Sequence, residues 1–291
     1  MAATSIALSG GGHRATLFGL GVLLYLADAE KNRDVVSIAS VSGGSITNGY
    51  TAQTIDYSGC DAEQFTAQVA APLAGQVAQR GTLFASWTSK LYLLLVGLFV
   101  LATLSVPWLL PLATHWRVLV FVAGVLWCAW LIAQRGKMCG LAYRRVLFSP
   151  DGHVTKLVDI RRTVSHVICA TDMRTARQVF FSPKFESPFH IPNLFTKGEL
   201  KDQSPDRTAR AQAVLTAFGG ENEQEWERST SEDARVPTTL CALGTDVSTK
   251  LLRHAYLLAM ANLHVLLDFP LLPVPAESHF ESLARGEVPA D

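Results

Sequence analysis

The chain has 291 residues, 49% of them hydrophobic, and its 25 basic and 25 acidic side chains leave a formal charge of zero at neutral pH. That apolar fraction supports a full core and excludes a disordered tail, while the balanced charge gives no global field to recruit nucleic acid, so any membrane contact must be hydrophobic. Five scattered cysteines, Cys60, Cys128, Cys139, Cys169 and Cys241, form no C-x-x-C pair, which argues against a disulfide framework or a zinc site and favours a reducing compartment. The opening "MAATSIALSGGG" has neither the basic start nor the long apolar run of a secretory signal, so Met1 is expected in the cytosol.

In chain order, "SIAL" reads as a buried strand, and "HRATLFGLGVLLYLADAE" carries Leu17, Leu20, Leu24 and Ala27 at helical spacing. Gly10, Gly11 and Gly12 therefore join a strand to a helix N-terminus. Glycines there admit positive φ and let successive amides converge on an anion, aided by the helix dipole. The anion is open at this point: no G-K-[ST] follows for a P-loop, and "GGGHRA" fits G-x-G-x-x-G only with Ala15 in the last place. A second strand, Val35 to Val41, runs into Ser42, two glycines and another helix-like stretch. This is a strand, a sharp turn and a helix with a serine at the apex, as in the nucleophile elbow G-x-S-x-G, except that Ser40 holds the place of the first glycine. The bland alternative is a serine that merely caps a helix.

The middle of the chain is a membrane hairpin by composition. Leu91 to Ala113 contains no charged residue, a run of roughly 20 residues or more, about what a helix needs to cross the hydrocarbon core. After "THWR" a shorter apolar run, Val118 to Ala133, is extended by Trp116 and Gln134 towards the interfaces. Pro107 and Pro111 are expected to kink the first helix, and His115 and Arg117 to sit in a tight outer turn. Lys90 before the first run and Arg135, Lys137, Arg144 and Arg145 after the second place both ends in the cytoplasm by the positive-inside rule. Residues 1–85 and 141–291 then lie on one side as the halves of a single domain, with 86–140 inserted. The alternatives are a re-entrant hairpin and a pair of core helices in a soluble protein.

The G-G-G-x-R turn at Gly10 to Arg14, with "SVSGGS" at residues 40–45, resembles the patatin-like phospholipase family of lipid acyl hydrolases. "HVICATDMRTARQVFFSP", residues 166–183, is similar to the family's central A-T-D strand, and "LLRHAYLLAMANLHVLLDFPL" to the end of some bacterial members. The resemblance implies an α/β fold of three layers with a mainly parallel sheet of patatin type, here interrupted by the transmembrane hairpin. It implies a serine–aspartate dyad that cleaves acyl esters of a membrane phospholipid or other acyl lipid, with no metal or cofactor. Ser42 matches the nucleophile, and Gly10, Gly11, Gly12 and Arg14 match the oxyanion loop. Arg14 is expected to tie the loop to a carbonyl rather than meet a phosphate head group.

The family's second catalytic residue sits in D-G-G or D-G-A downstream of the A-T-D strand, and no such pair occurs there. The one Asp–Gly, Asp151–Gly152, comes before that strand and reads as an ordinary turn. Asp172 ends the "VICATD" strand and should share the sheet edge of Ser42, which makes it a possible support, although the A-T-D aspartate is not the family's dyad residue and reads more readily as a turn cap. Asp202 and Asp206 lie in a polar stretch with no strand end around them. Two rival readings follow. One is an α/β-hydrolase triad of Ser42, Asp172 and His254 or His264, set against by the helix-like pattern around both histidines. The other is an inactive, membrane-anchored pseudoenzyme that binds a lipid or a partner through the glycine loop.

Overall fold

The computed structural model describes residues 3–109, 111, 113–149, 156, 160, 163–171, 178–182, 205–218 and 235–289. The first elements are β1 (Thr4–Leu8), α1 (Gly12–Asp28), β2 (Val35–Val41) and α2 (Gly43–Thr54). A helix over 62–80, α3, follows, in which α-turns alternate with π-turns at Thr66–Ala70 and Gln76–Arg80. Next come α4 (Trp87–Leu109), α5 (Thr114–Ala133), α6 (Arg135–Tyr143), β3 (Ser165–Thr171), β4 (Gln178–Phe181), α7 (Pro205–Ala217), α8 (Thr245–Leu267) and α9 (Glu277–Arg285). They fall into two compact units: Met1–Arg80 with Thr155–Asp291, and Gly81–Val154.

In the first unit the sheet order is β1-β2-β3-β4. β1, β2 and β3 are parallel, with Leu8 opposite Ser40 and Val41 opposite Cys169. β4 turns back antiparallel, pairing Phe181 with Ile168. The sheet is thus mixed, with its parallel part formed by the strands read as "SIAL", Val35–Val41 and "VICAT". Leu8, Ile38, Ser40 and His166 are buried on one face. Both α1 and α2 approach that face closely: added Cβ atoms at Gly19 of α1 and Gly44 of α2 would lie 3.4 and 2.8 Å from the Leu8 side chain. On the other face Ser5, Ala7 and Val41 are exposed, and Ser37 Oγ donates to Ser5 Oγ at 2.8 Å. Among the described residues the helices cover one face, giving two layers where the patatin-type expectation has three.

α1 is the core helix. Leu17, Leu20, Leu24 and Ala27 are buried as their spacing requires, but Leu23, Tyr25 and Leu26 are buried too, so the helix is covered nearly all round. It packs on α8 at near backbone distance, where an added Cβ at Gly21 would lie 2.7 Å from Ala255 Cβ. Tyr25 meets Tyr256 edge-on at 5.6 Å, and Tyr256 meets Phe280 of α9 at 5.5 Å, geometry that adds to area burial in aromatic clusters.

The second unit holds two helices long and apolar enough to cross a membrane. Their large side chains, among them Leu94, Leu98, Leu101, Leu119, Leu126 and Trp130, are exposed, so they are not the covered core helices of the soluble alternative. The pair is closed by Tyr92 Oη donating to Leu131 O at 2.7 Å, and by Gly124, where an added Cβ would stand 2.7 Å from Thr103. Pro107 lies inside α4, whereas Pro111 falls beyond its end. His115 and Arg117 belong to the first turn of α5 instead of a separate outer turn. The unit extends on both sides of 86–140 because its flanks fold back on the helix base: the Thr82 and Tyr143 hydroxyls approach to 3.5 Å, and Arg145 donates to Thr88 Oγ1 at 2.7 Å.

Candidate functional site

The site is built where two strand-to-helix turns interlock. Ser42 stands between β2 and α2 with φ 49° and ψ −120°, a positive φ that a residue with a Cβ adopts only under strain. It is exposed. The geometry is that of a sharp elbow and not of a helix cap, because Ser42 makes no side-chain capping bond to α2, and among the described residues no side chain is hydrogen-bonded to its Oγ.

The two glycines after Ser42 are needed for contact with the first turn. An added Cβ at Gly43 would lie 2.1 Å from Gly12 O, and one at Gly44 2.6 Å from Ser9 O; the Gly44 N–H instead donates to that oxygen at 3.1 Å. Gly10 lies directly against the serine, its hypothetical Cβ 3.1 Å from Ser42 Cβ and 3.8 Å from Oγ. Thr16 Oγ1 reaches both turns, within 3.2 Å of Gly12 O and 2.9 Å of Gly43 O. The N-termini of α1 and α2 therefore open side by side at Ser42. Each leaves its first amides without an intrahelical acceptor and carries the positive end of a dipole.

Gly11 and Gly12 have φ 143° and 61°. Gly12 must be glycine for a second reason, since its Cβ would meet Thr239 O at 2.5 Å. The segment around Thr239 runs along the start of α1. His13 N–H donates to Thr239 O at 2.9 Å and Arg14 donates to Val236 O at 3.2 Å. His13 Nδ1 lies 2.7 Å from Cys241 O, which must make that nitrogen the donor. Burial lowers the His13 pKa, which favours the neutral ring, against the raising effect of the Cys241 hydrogen bond. The His13 amide is thus engaged by Thr239 O.

Ser40, the departure from G-x-S-x-G, has a partner. It is buried and its Oγ receives Asn48 Nδ2 at 2.8 Å and donates to Val167 O at 3.3 Å. Asn48 also donates to Ile38 O at 3.0 Å, and its Oδ1 lies 2.6 Å from His166 Nδ1. No sequence motif marks Asn48, His166, Thr16 or Thr239. The available signal was the stripe Gly44, Thr47, Asn48 and Thr51, small or polar residues at helical spacing that are all buried, because a buried polar stripe implies hydrogen-bond partners on the facing element.

Asp172, Asp151–Gly152 and Asp202 lie outside the described residues, as does the side chain of Asp206. The two histidines of the triad alternative are on α8: His254 packs against the Phe18 ring at 6.5 Å, and His264 Nδ1 bonds Phe269 O at 2.7 Å near the helix C-terminus. No family model, curated protein or solved structure matches the chain.

Proposed function

We propose that the chain is a membrane-associated serine acyl hydrolase of patatin-like type, acting on ester-linked acyl chains of a phospholipid or related lipid. The observation that carries this reading is the exposed Ser42 held at φ 49° between two helix N-termini, with Gly10 against its side chain. Ser42 Oγ attacks the ester carbonyl carbon while its proton passes to an aspartate carboxylate. The tetrahedral intermediate then collapses, the alcohol leaves with a proton, and an acyl-serine remains for water to cleave. Amides of Gly10, Gly11 and Gly12, joined by the Gly43 N–H that follows the nucleophile, stabilise the oxyanion, and such stabilisation usually lowers the barrier to acyl transfer more than any other single effect. The Arg14 bond to Val236 O supports a role in holding the loop.

The two apolar helices span the bilayer in this reading, and the basic residues at their outer ends, Lys90 on one side and Arg135, Lys137, Arg144 and Arg145 on the other, keep the catalytic halves in the cytoplasm. That anchorage makes a lipid the natural substrate. The test is fluorophosphonate labelling of the detergent-solubilised full chain beside Ser42→Ala. Labelling of the wild type alone supports the hydrolase. A folded wild type that does not label replaces it with the inactive lipid-binding reading.

A further inference from the structure

The hydrogen bonds around Asn48 carry an inference that rests on the hydrolase reading and goes beyond it. Ser42 is strained, at φ 49°, and strain of this kind persists only where the surroundings over-determine the backbone. Gly44 N–H on Ser9 O and Thr16 on Gly12 O and Gly43 O pin the elbow from the side of the first turn. Neither fixes the angle between the two arms of the elbow itself, β2 and α2.

Asn48 does so. Its backbone belongs to α2, and its side-chain NH2 reaches back to Ile38 O at 3.0 Å and Ser40 Oγ at 2.8 Å on β2, with Val167 O of β3 at 3.3 Å. Three acceptors on one side force the amide nitrogen to face the sheet and turn Oδ1 to His166 Nδ1, 2.6 Å away. Oδ1 is an acceptor only, so His166 carries its proton on Nδ1. Asn48, Ser40 and His166 are all buried, where such bonds are strong and a lost partner is costly. Ser40, in the first-glycine place, contributes its hydroxyl to this set.

We propose that Asn48 is the positioning residue of the nucleophile elbow, holding the strand and helix arms on either side of Ser42 at the angle that presents Oγ, with His166 fixing the orientation of its amide. It touches no substrate and acts through the backbone of Ser42.

The test uses the full chain in detergent and a fluorophosphonate, with labelling resolved into a maximal rate and a half-saturating probe concentration, well below each variant's melting midpoint. Asn48→Ala is expected to lower the maximal rate at least about tenfold, since misplacement of about 1 Å costs up to a hundredfold, with half-saturation unchanged. His166→Phe keeps ring volume and deletes the N–H, and is expected to lower the same rate about threefold or more; it decides the matter if Asn48→Ala does not fold. Folded variants that label at the wild-type rate overturn the positioning role and leave the hydrolase reading standing. A folded wild type that does not label overturns both.

Discussion

Gly43 of α2 stands so close to Gly12 of α1 that a Cβ on it would lie 2.1 Å from the Gly12 carbonyl oxygen. The atom in the way is backbone at the start of a buried helix, which cannot swing aside. Gly43→Ala is therefore expected to force the two turns apart, with a cost at or above the usual 1–3 kcal/mol of overpacking. Fluorophosphonate labelling should fall with it. A variant that melts and labels like the wild type would show that the turns do not meet as described.

The strain at Ser42 predicts a split between stability and activity. Ser42→Gly and Ser42→Ala both remove the nucleophile and abolish labelling. Only glycine adopts φ 49° at little steric cost, so Ser42→Gly should exceed Ser42→Ala in unfolding free energy by about 1 kcal/mol. Chemical denaturation of the two variants side by side measures the difference; equal midpoints and slopes would count against a strained elbow.

Asp28, at the end of α1, gives a pH dependence remote from the site. Burial raises its carboxyl from the ordinary 3.8 to about 6, opposed by the hydrogen bond from Tyr256 Oη, which is 2.8 Å long. The unfolded chain ionises this group near pH 4 and the folded chain near pH 6. Its contribution to stability is thus complete below about pH 4 and is lost as the pH rises through 6. Asp28→Asn should be more stable than the wild type at pH 8 by up to roughly 3 kcal/mol, with the gain gone by pH 4. Unfolding curves at the two pH values check the sign.

The hairpin of α4 and α5 yields a prediction on membrane integration. Leu98 and Leu126 are exposed near the middle of their helices, and an arginine at the centre of a spanning helix costs about 2.5–3.5 kcal/mol. Leu98→Arg combined with Leu126→Arg should shift the protein from the carbonate-resistant membrane fraction towards the extractable one. Wild-type protein that is extracted by carbonate to begin with would remove the spanning reading.

Much of the frame was legible in the residues. The strand before Gly10, the strand from Val35 to Val41, the serine at the apex and the two apolar helices are local matters of periodicity, turn chemistry and length, and they lie where the pattern puts them. α4 and α5 begin before the apolar runs, at Trp87 and Thr114, because polar side chains also sit in a helix whose apolar part alone marks the span. Whether the second sheet face is covered was not legible, since that depends on segments distant in the chain. The histidines of the triad alternative, His254 and His264, were legible as helix residues, and on α8 they contact Phe18 and Phe269.

By itself the sequence determined that two glycine-rich strand-to-helix turns exist and that Ser42 heads one of them, because glycine, serine and the alternation of apolar residues restrict the backbone within a few positions. Only the tertiary structure decided that these turns interlock at Gly12 and Gly43, that the segment at Thr239 takes the His13 amide, and that Ser40 is matched to Asn48 and His166. Those relationships join residues far apart in the chain. They arise when buried polar groups, having lost water, must find partners on whichever element the fold brings beside them.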